Sequence, residues 1–262
     1  MGTFFIISLL VGAGAWAASW WSGRLEMRGR AVDRAAVIPL AQLAEDAASV
    51  AEELGPGSFR QEVKIRGKIV CDAPLTSELS HTACVSYRFS VTREFEEVLW
   101  ERDSQGNDVQ RVRRGTETVA SNEVSVPFWL DDGTSRILVD PDRAKVERTK
   151  TLDQFQPVSM QIGRVGSLDL NLSHHPGGTL GYRYEEHALA VGQEVTVVAE
   201  AGDEGGQLAL RKPESKDEPF LVTTKGFQEL SRSNRTLAAV FKGVSWGMAA
   251  VAVLIFLLGV IR

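Results

Sequence analysis

The chain of 262 residues carries a formal net charge of −5. That mild acidity excludes the basic footprint of a nucleic-acid binder, and Arg111, Arg113 and Arg114 form too short a run to reverse it. Two cysteines, Cys71 and Cys84, are too few for a disulfide framework. A bridge between neighbouring strands is conceivable, and buried free thiols are the better fit to a domain facing a reducing compartment.

Thr3 to Trp21 contains no charged side chain, and neither does Gly243 to Ile261. A helix of roughly 20 apolar residues is about 30 Å long, enough to cross the hydrocarbon layer, so transmembrane helices are expected at 3–21 and 243–261. Ala15-Trp16-Ala17 also looks like a cleavage site, but no basic n-region precedes the apolar run, which favours an uncleaved anchor. Arg24, Arg28, Arg30 and Arg34 follow the first apolar segment, and Lys225, Arg232, Arg235 and Lys242 lead into the second. Positive flanks favour the cytoplasmic side, so a two-pass protein is expected, its central domain cytoplasmic and both termini opposite. In a prokaryote that membrane is the bacterial inner membrane. The bilayer itself is then the first expected partner.

Between these segments a soluble domain is expected over 35–235. Pro39 to Leu54 reads as an amphipathic helix, with Leu40, Leu43, Ala47, Val50, Ala51 and Leu54 on one stripe. Pro39 suits the first helical position and Gly55-Pro56-Gly57 supplies the stop. The period then becomes two: Val63, Ile65, Gly67 and Ile69 alternate with polar neighbours, as do Val85, Tyr87, Phe89 and Val91. A third strand is expected to end near Trp100, before a turn at Gln105 to Asp108, and the arginines 111, 113 and 114 read as a solvated strand face. Val124 to Leu130 and Ser135 to Val139 flank Asp131-Asp132-Gly133-Thr134, where Asp-Gly suits a primed hairpin turn. Leu168, Leu170 and Leu172 suggest another short strand, and His174 to Gly178 a loop. Tyr182 to Leu189, Glu194 to Ala199, Gln207 to Leu210 and Phe220 to Thr223 complete the strands, and a short piece with Phe227 and Leu230 leads into the last apolar segment. The expected class is α+β: a β-rich, mainly antiparallel domain with one leading amphipathic helix, flanked by two transmembrane helices.

Motifs for chemistry are scarce. The sequence holds no nucleophile elbow, phosphate loop, paired CxxC or HExxH. Asp140, just before Pro141, suits a bond to the backbone of its own turn, and Glu186 suits structural hydrogen bonding. His174-His175 would need further ligands and a supporting shell to hold a metal, so no metal or cofactor is expected. Gly243 and Gly247 give a GxxxG spacing in the second apolar segment, a route to pairing of the two spans or of two copies.

The ordered blocks Gly67-Lys68-Ile69-Val70, Pro74 to Ser77, Cys84-Val85-Ser86-Tyr87, Phe128 to Gly133 with Val139-Asp140-Pro141 and Ala144, Tyr182 to Glu186 with Leu189 and Gly192, and Pro219 to Thr223 resemble the GIDE domain. Each block is weak alone, and their order and spacing carry the likeness over roughly residues 35 to 235 and the flanking apolar segments. The resemblance marks Cys84, Tyr87, Asp140, Pro141, Arg183, Glu186 and Gly192 as motif residues with structural or binding roles. It further implies a relationship to membrane-anchored ubiquitin ligases of mitochondria and plastids, whose zinc-binding RING follows the second span. Two Cys and four His cannot fill the eight ligand positions of a RING, and only Arg262 follows the second apolar segment here. The expectation is therefore a RING-less relative of prokaryotic type: a non-enzymatic, membrane-tethered module that holds an unknown protein partner or a lipid-derived ligand. The alternative is a ligase component acting with a partner in trans.

Overall fold

The computed structural model describes residues 35–102, 106–158, 178–213 and 218–227. It also describes single positions at 13, 14, 16, 20, 164, 165, 168, 169, 229, 240, 244 and 251. Both expected transmembrane helices, Gly243 and Gly247, and His174-His175 lie outside these residues, apart from isolated helical positions within the apolar segments. Among the described residues, no helix is long and apolar enough to cross a membrane.

The elements run as follows. Helix α1 (Leu40–Leu54) precedes β1 (Arg60–Val70), β2 (Leu75–Thr76), β3 (Ala83–Arg102) and β4 (Asp108–Ser125). Next come β5 (Phe128–Asp131), β6 (Arg136–Val139), β7 (Lys145–Val146), β8 (Thr149–Pro157), β9 (Arg164–Val165) and β10 (Leu168–Asp169). Last are β11 (Thr179–Ala190), β12 (Glu194–Gly202), β13 (Ala209–Arg211) and β14 (Leu221–Thr223). The β-rich α+β class holds, with α1 as the leading helix.

The chain forms two compact units. The first comprises, among the described residues, those up to Arg66, those of Val195–Leu221 and those from Lys225. Here α1 buries Leu40, Leu43 and Ala47, whereas Leu54 is largely exposed, so the expected stripe stays dry only along its first two turns. Pro39 is the N-cap, not the first helical residue: its ψ is extended at 146°, while its carbonyl accepts the Leu43 N–H at 3.1 Å. Gly55 ends the helix at φ 92°, donating its N–H to Ala51 O at 3.0 Å. The turn that follows is tied to the end of β12 by Asp203, whose carboxylate accepts the N–H groups of Gly57 (2.9 Å) and Phe59 (3.0 Å). Val63 and Ile65 of β1 are buried as their alternation requires, but Lys64 is buried too, its ammonium 5.7 Å from the Phe227 ring centroid. β12 pairs antiparallel with β13, Ala201 opposite Leu210.

The second unit comprises Gly67–Glu194 and Val222–Thr224. Its main sheet runs β2-β3-β11-β8, and β4 pairs with β3. All of these pairings are antiparallel. Its core is built from Leu79, Cys84, Tyr87, Phe89, Val91, Tyr182, Tyr184 and Ala188, with Leu75, Val124, Leu152 and Val158 packed against them. β5 pairs with the end of β1, Ile69 opposite Leu130, and forms a hairpin with β6.

Three local expectations are corrected. The two strands expected between Val85 and Trp100 are one strand of 20 residues, because β4 continues the ladder from Ser86–Ser125 to Arg102–Asp108 after the sheet's third strand has ended. The single strand expected over Val124–Leu130 is broken at Pro127, which has no N–H for a ladder, and β5 begins one residue later. The Asp-Gly loop is longer than a two-residue primed turn, because β5 ends at Asp131 and β6 starts at Arg136. Asp132 closes it by accepting the N–H groups of Thr134 (2.8 Å) and Ser135 (3.1 Å).

Candidate functional site

Glu186 stands in the middle of β11 with no solvent exposure. A bare buried carboxylate is costly, so its environment must supply donors. The loop after β2 supplies most of them, and Thr151 of β8 adds one more. Oε2 accepts the Leu79 N–H at 2.7 Å, Oε1 accepts the Ser77 and Thr151 hydroxyls, each at 2.9 Å, and Ser80 contributes both its N–H and its hydroxyl. Ser77, Ser80 and Thr82 also bond to one another. Burial pushes the Glu186 carboxyl upward, but the bonds from Ser80, Leu79, Thr151 and Ser77 outweigh it and hold the group below the usual carboxylate range. Glu186 is a charged anchor for a hydroxyl-rich loop, and its acceptor capacity is spent there.

Cys84 and Tyr87 share this neighbourhood. The Cys84 thiol is fully buried, and burial, then the Glu186 charge, push it up to about 11, so it is not a thiolate at neutral pH. Both cysteines are free thiols, Cys71 only half-buried. Tyr87 donates to Glu78 Oε1 at 3.1 Å, and burial followed by that bond raises its phenol to about 12.

Arg183 is three residues before Glu186 on the same strand and therefore projects from the opposite face of the sheet. There it bridges β3 and β8, with Nε to Glu94 at 2.9 Å and Nη1 to Asp153 at 3.0 Å. Lys150 extends the row by pairing with Asp153 (2.8 Å) and Glu185 (3.2 Å). Gly192 is in the turn after β11 at φ 80°, a left-handed conformation that suits glycine, and its N–H reaches Ile69 O at 2.8 Å.

Asp140 and Pro141 are elsewhere, at the end of β6. Asp140 accepts the Asp142 N–H at 3.2 Å, so it caps its own turn. The two residues line a half-open cleft of about 380 Å³ with Glu123, Ser125, Arg143 and Arg148. Arg148, its side chain only 5 % exposed, forms the fixed part of the wall. It donates to Ser86 Oγ (2.8 Å), Val146 O (3.4 Å) and Glu123 Oε1 (2.6 Å). Arg143 sits at φ 60° on the turn, largely exposed beside Asp142.

Among the seven motif residues the structure thus brings together Cys84, Tyr87 and Glu186, places Asp140 and Pro141 on a cleft, and leaves Arg183 and Gly192 apart. Asp140, Arg183 and Glu186 share no hydrogen-bond partner. Arg148, Glu123 and the loop beyond Ser77, which closes a quoted block, escaped the sequence reading; the run of hydroxyls Ser77, Ser80 and Thr82 was the available signal for the loop. Among the described residues, no group of three Cys, His, Asp or Glu side chains could hold a metal ion.

Comparison with known proteins adds the family. The GIDE profile, described as E3 ubiquitin ligase, matches residues 96–259, more than half of the chain. The chain belongs to the GIDE family. E3 ubiquitin-protein ligase SPL1 of Arabidopsis thaliana is 32 % identical over 136 residues, which cover 50 % of this chain and 38 % of that protein. E3 ubiquitin-protein ligase SP1 of the same plant is 26 % identical over 194 residues, 73 % of this chain and 52 % of that protein. The chain therefore spans about half, or less, of the curated relatives it matches. No solved structure matches.

Proposed function

We propose that this chain is a membrane-tethered binding module of the GIDE family that holds a partner beside the bilayer without catalysing a reaction on it. The cleft at Asp140 and Pro141 carries this reading. It is concave, its wall is fixed by a buried guanidinium, and charged side chains of both signs, Asp140, Asp142 and Arg143, stand at its mouth. Such a site selects a polar segment by its charge pattern. The two uncharged segments, each of spanning length, support the tether. The remaining motif carboxylate, Glu186, is consumed by its loop, and Cys84 is held as a thiol, so neither is available as an acid, base or nucleophile. Affinity capture from detergent-solubilised membranes tests the proposal with Asp140→Asn and Arg143→Ala beside the wild type. Loss of wild-type partners by variants that melt like the parent is expected. Recovery of the same partners by all three chains, or of the chain alone, removes the cleft from the account.

The family description and both relatives favour a second reading, a component of a ubiquitin ligase. These residues hold two Cys and four His, fewer than the eight ligands of a RING, so the zinc module would come from outside them. Ubiquitin transfer reconstituted with this chain as the sole candidate ligase, and repeated with a RING domain added separately, decides between the readings.

A further inference from the structure

Beyond Glu96, whose N–H bonds Gly178 O, β3 has only β4 beside it among the described residues, and the two strands run on as a ribbon to Arg102 and Asp108. A two-stranded ribbon is marginal in water, and this one sets exposed apolar side chains among its charged ones. Trp100 is 70 % exposed and Val112 57 %, and Val98, Leu99 and Val109 are exposed with them.

The register sets out the belt. Val98 lies opposite Val112, and Trp100 follows on the same face, while Leu99 and Val109 occupy the other face. The apolar residues therefore surround the ribbon at one height, over about 10 Å of strand at roughly 3.4 Å per residue. Ion pairs bracket the belt: Glu96–Arg114 at 2.7 Å towards the base and Arg102–Asp108 at 3.3 Å towards the tip. A third pair, Glu101–Arg111 at 3.3 Å, lies on the face that carries Leu99 and Val109. The surface of a folded partner covers one face of a ribbon and leaves the other wet. A lipid interface encloses both faces at once, and the headgroup layer, about 5–7 Å deep on each side of the hydrocarbon, takes in half or more of that height. Tryptophan favours that layer, and arginine stems extend along apolar surface while their heads reach phosphate or water.

We propose that the outer part of the β3–β4 ribbon seats in the interfacial layer of a lipid bilayer through Val98, Leu99, Trp100, Val109 and Val112. The occupant is the lipid surface itself. The ion pairs neutralise one another, so the contact is apolar and does not require anionic lipid. This inference rests on the tethered reading above, which brings a bilayer to the chain, and adds a second point of contact to it.

The test uses the full chain reconstituted in phosphatidylcholine nanodiscs, with Cys71→Ser and a single environment-sensitive fluorophore at Val112→Cys or, separately, Val109→Cys. Cys84 is fully buried and stays unlabelled in the native fold. Both labels are expected to shift to the blue and to lose fluorescence when nitroxide-bearing phosphatidylcholine is included, whereas a label at Ser121→Cys is not. Labels on disc-bound chains that respond to aqueous iodide and ignore the lipid nitroxide overturn the inference while leaving the tether intact. A blue shift without lipid quenching, or quenching at Val112 but not Val109, assigns the belt to a protein surface and equally overturns it. A chain that does not enter the discs overturns the tethered reading and this inference with it.

Discussion

Glu186 Oε2 accepts the backbone N–H of Leu79 at 2.7 Å, across 107 residues of sequence. That bond, with those from Ser77 and Ser80, fastens the loop after β2 to the centre of β11, and Thr151 of β8 completes the shell of donors around the dry carboxylate. Removing the charge while keeping the shape turns an acceptor into a donor facing donors. Glu186→Gln is therefore expected to cost about 2–4 kcal/mol, the penalty for stranding several buried polar groups. Chemical denaturation in detergent measures it. A change within a few tenths of a kcal/mol would show that the loop is held by other means.

The same carboxylate predicts a pH dependence. Its folded value is lowered from an ordinary 4.5, because Ser80, Leu79, Thr151 and Ser77 outweigh the opposing effect of burial. The unfolded chain thus binds the proton more readily, and stability rises with pH. The Glu186 contribution is present above about pH 5 and lost as pH falls below the ordinary value towards the folded one. Asp131, Asp153 and Asp203 are lowered in the same direction, so the comparison with Glu186→Gln isolates the Glu186 contribution. Midpoints recorded from neutral to acid should converge between the two chains; parallel curves would assign the acid sensitivity to the aspartates.

The parts of this fold that show in the sequence are those with one dry face. Val63, Ile65 and Ile69 alternate because β1 buries one side, and Tyr87, Phe89 and Val91 do the same in β3. The outer ribbon lacks that signature, because both faces are wet and apolar residues appear at consecutive positions, Val98, Leu99 and Trp100. The anchoring role of Glu186 is equally hidden, since its donors from Ser77, Leu79 and Ser80 lie more than 100 residues earlier in the chain. Arg148 gave no local hint, because its burial depends on Ser86 and Glu123 in other strands. Asp140 was readable because an aspartate before proline interacts with its own turn, and it does.

The two thiols should separate cleanly in reactivity. Cys71 is half-buried, whereas Cys84 is fully enclosed and pushed up to about 11, first by burial and then by the Glu186 charge. Maleimide labelling near neutral pH followed by mass spectrometry is expected to modify Cys71 in the native chain and Cys84 only after denaturation. Rapid native labelling of Cys84 would mean that the Glu186 neighbourhood opens readily.

Two glycines at positive φ should respond differently to alanine. Gly192 (φ 80°) has nothing within 4 Å of where a Cβ would stand, so Gly192→Ala meets only the left-handed backbone penalty of about 1–2 kcal/mol. At Gly178 (φ 83°) an added Cβ would lie 2.1 Å from the carbonyl oxygen of Glu96, whose own N–H bonds Gly178 O at 2.8 Å. Gly178→Ala must also move the ribbon's base, and should lower the melting temperature more. Equal losses would show that the backbone near Glu96 yields without cost.

Arg183 and Arg148 provide the sharpest contrast. Arg183 works in an exposed row with Glu94 and Asp153, where solvent and side-chain entropy offset most of the Coulomb attraction. Arg183→Ala is therefore expected to leave stability nearly unchanged, and any loss should shrink as salt is raised. Arg148 is enclosed, and its removal takes a donor from the Val146 carbonyl and from Ser86 Oγ, which keeps its bonds to Val124 O and Ser125 Oγ, and leaves Glu123 to solvent and the exposed Arg88. Because Glu123 is half-exposed and can be hydrated, the cost stays below that of orphaning a fully buried charge, about 1–3 kcal/mol. The Arg148 loss should be less sensitive to salt than any Arg183 loss, since its guanidinium is enclosed and two of its three bonds go to neutral oxygens. Denaturation of both variants at low and high ionic strength separates the cases, and an Arg183→Ala chain as unstable as Arg148→Ala would make the exposed ion row, not the cleft wall, the structural element of this unit.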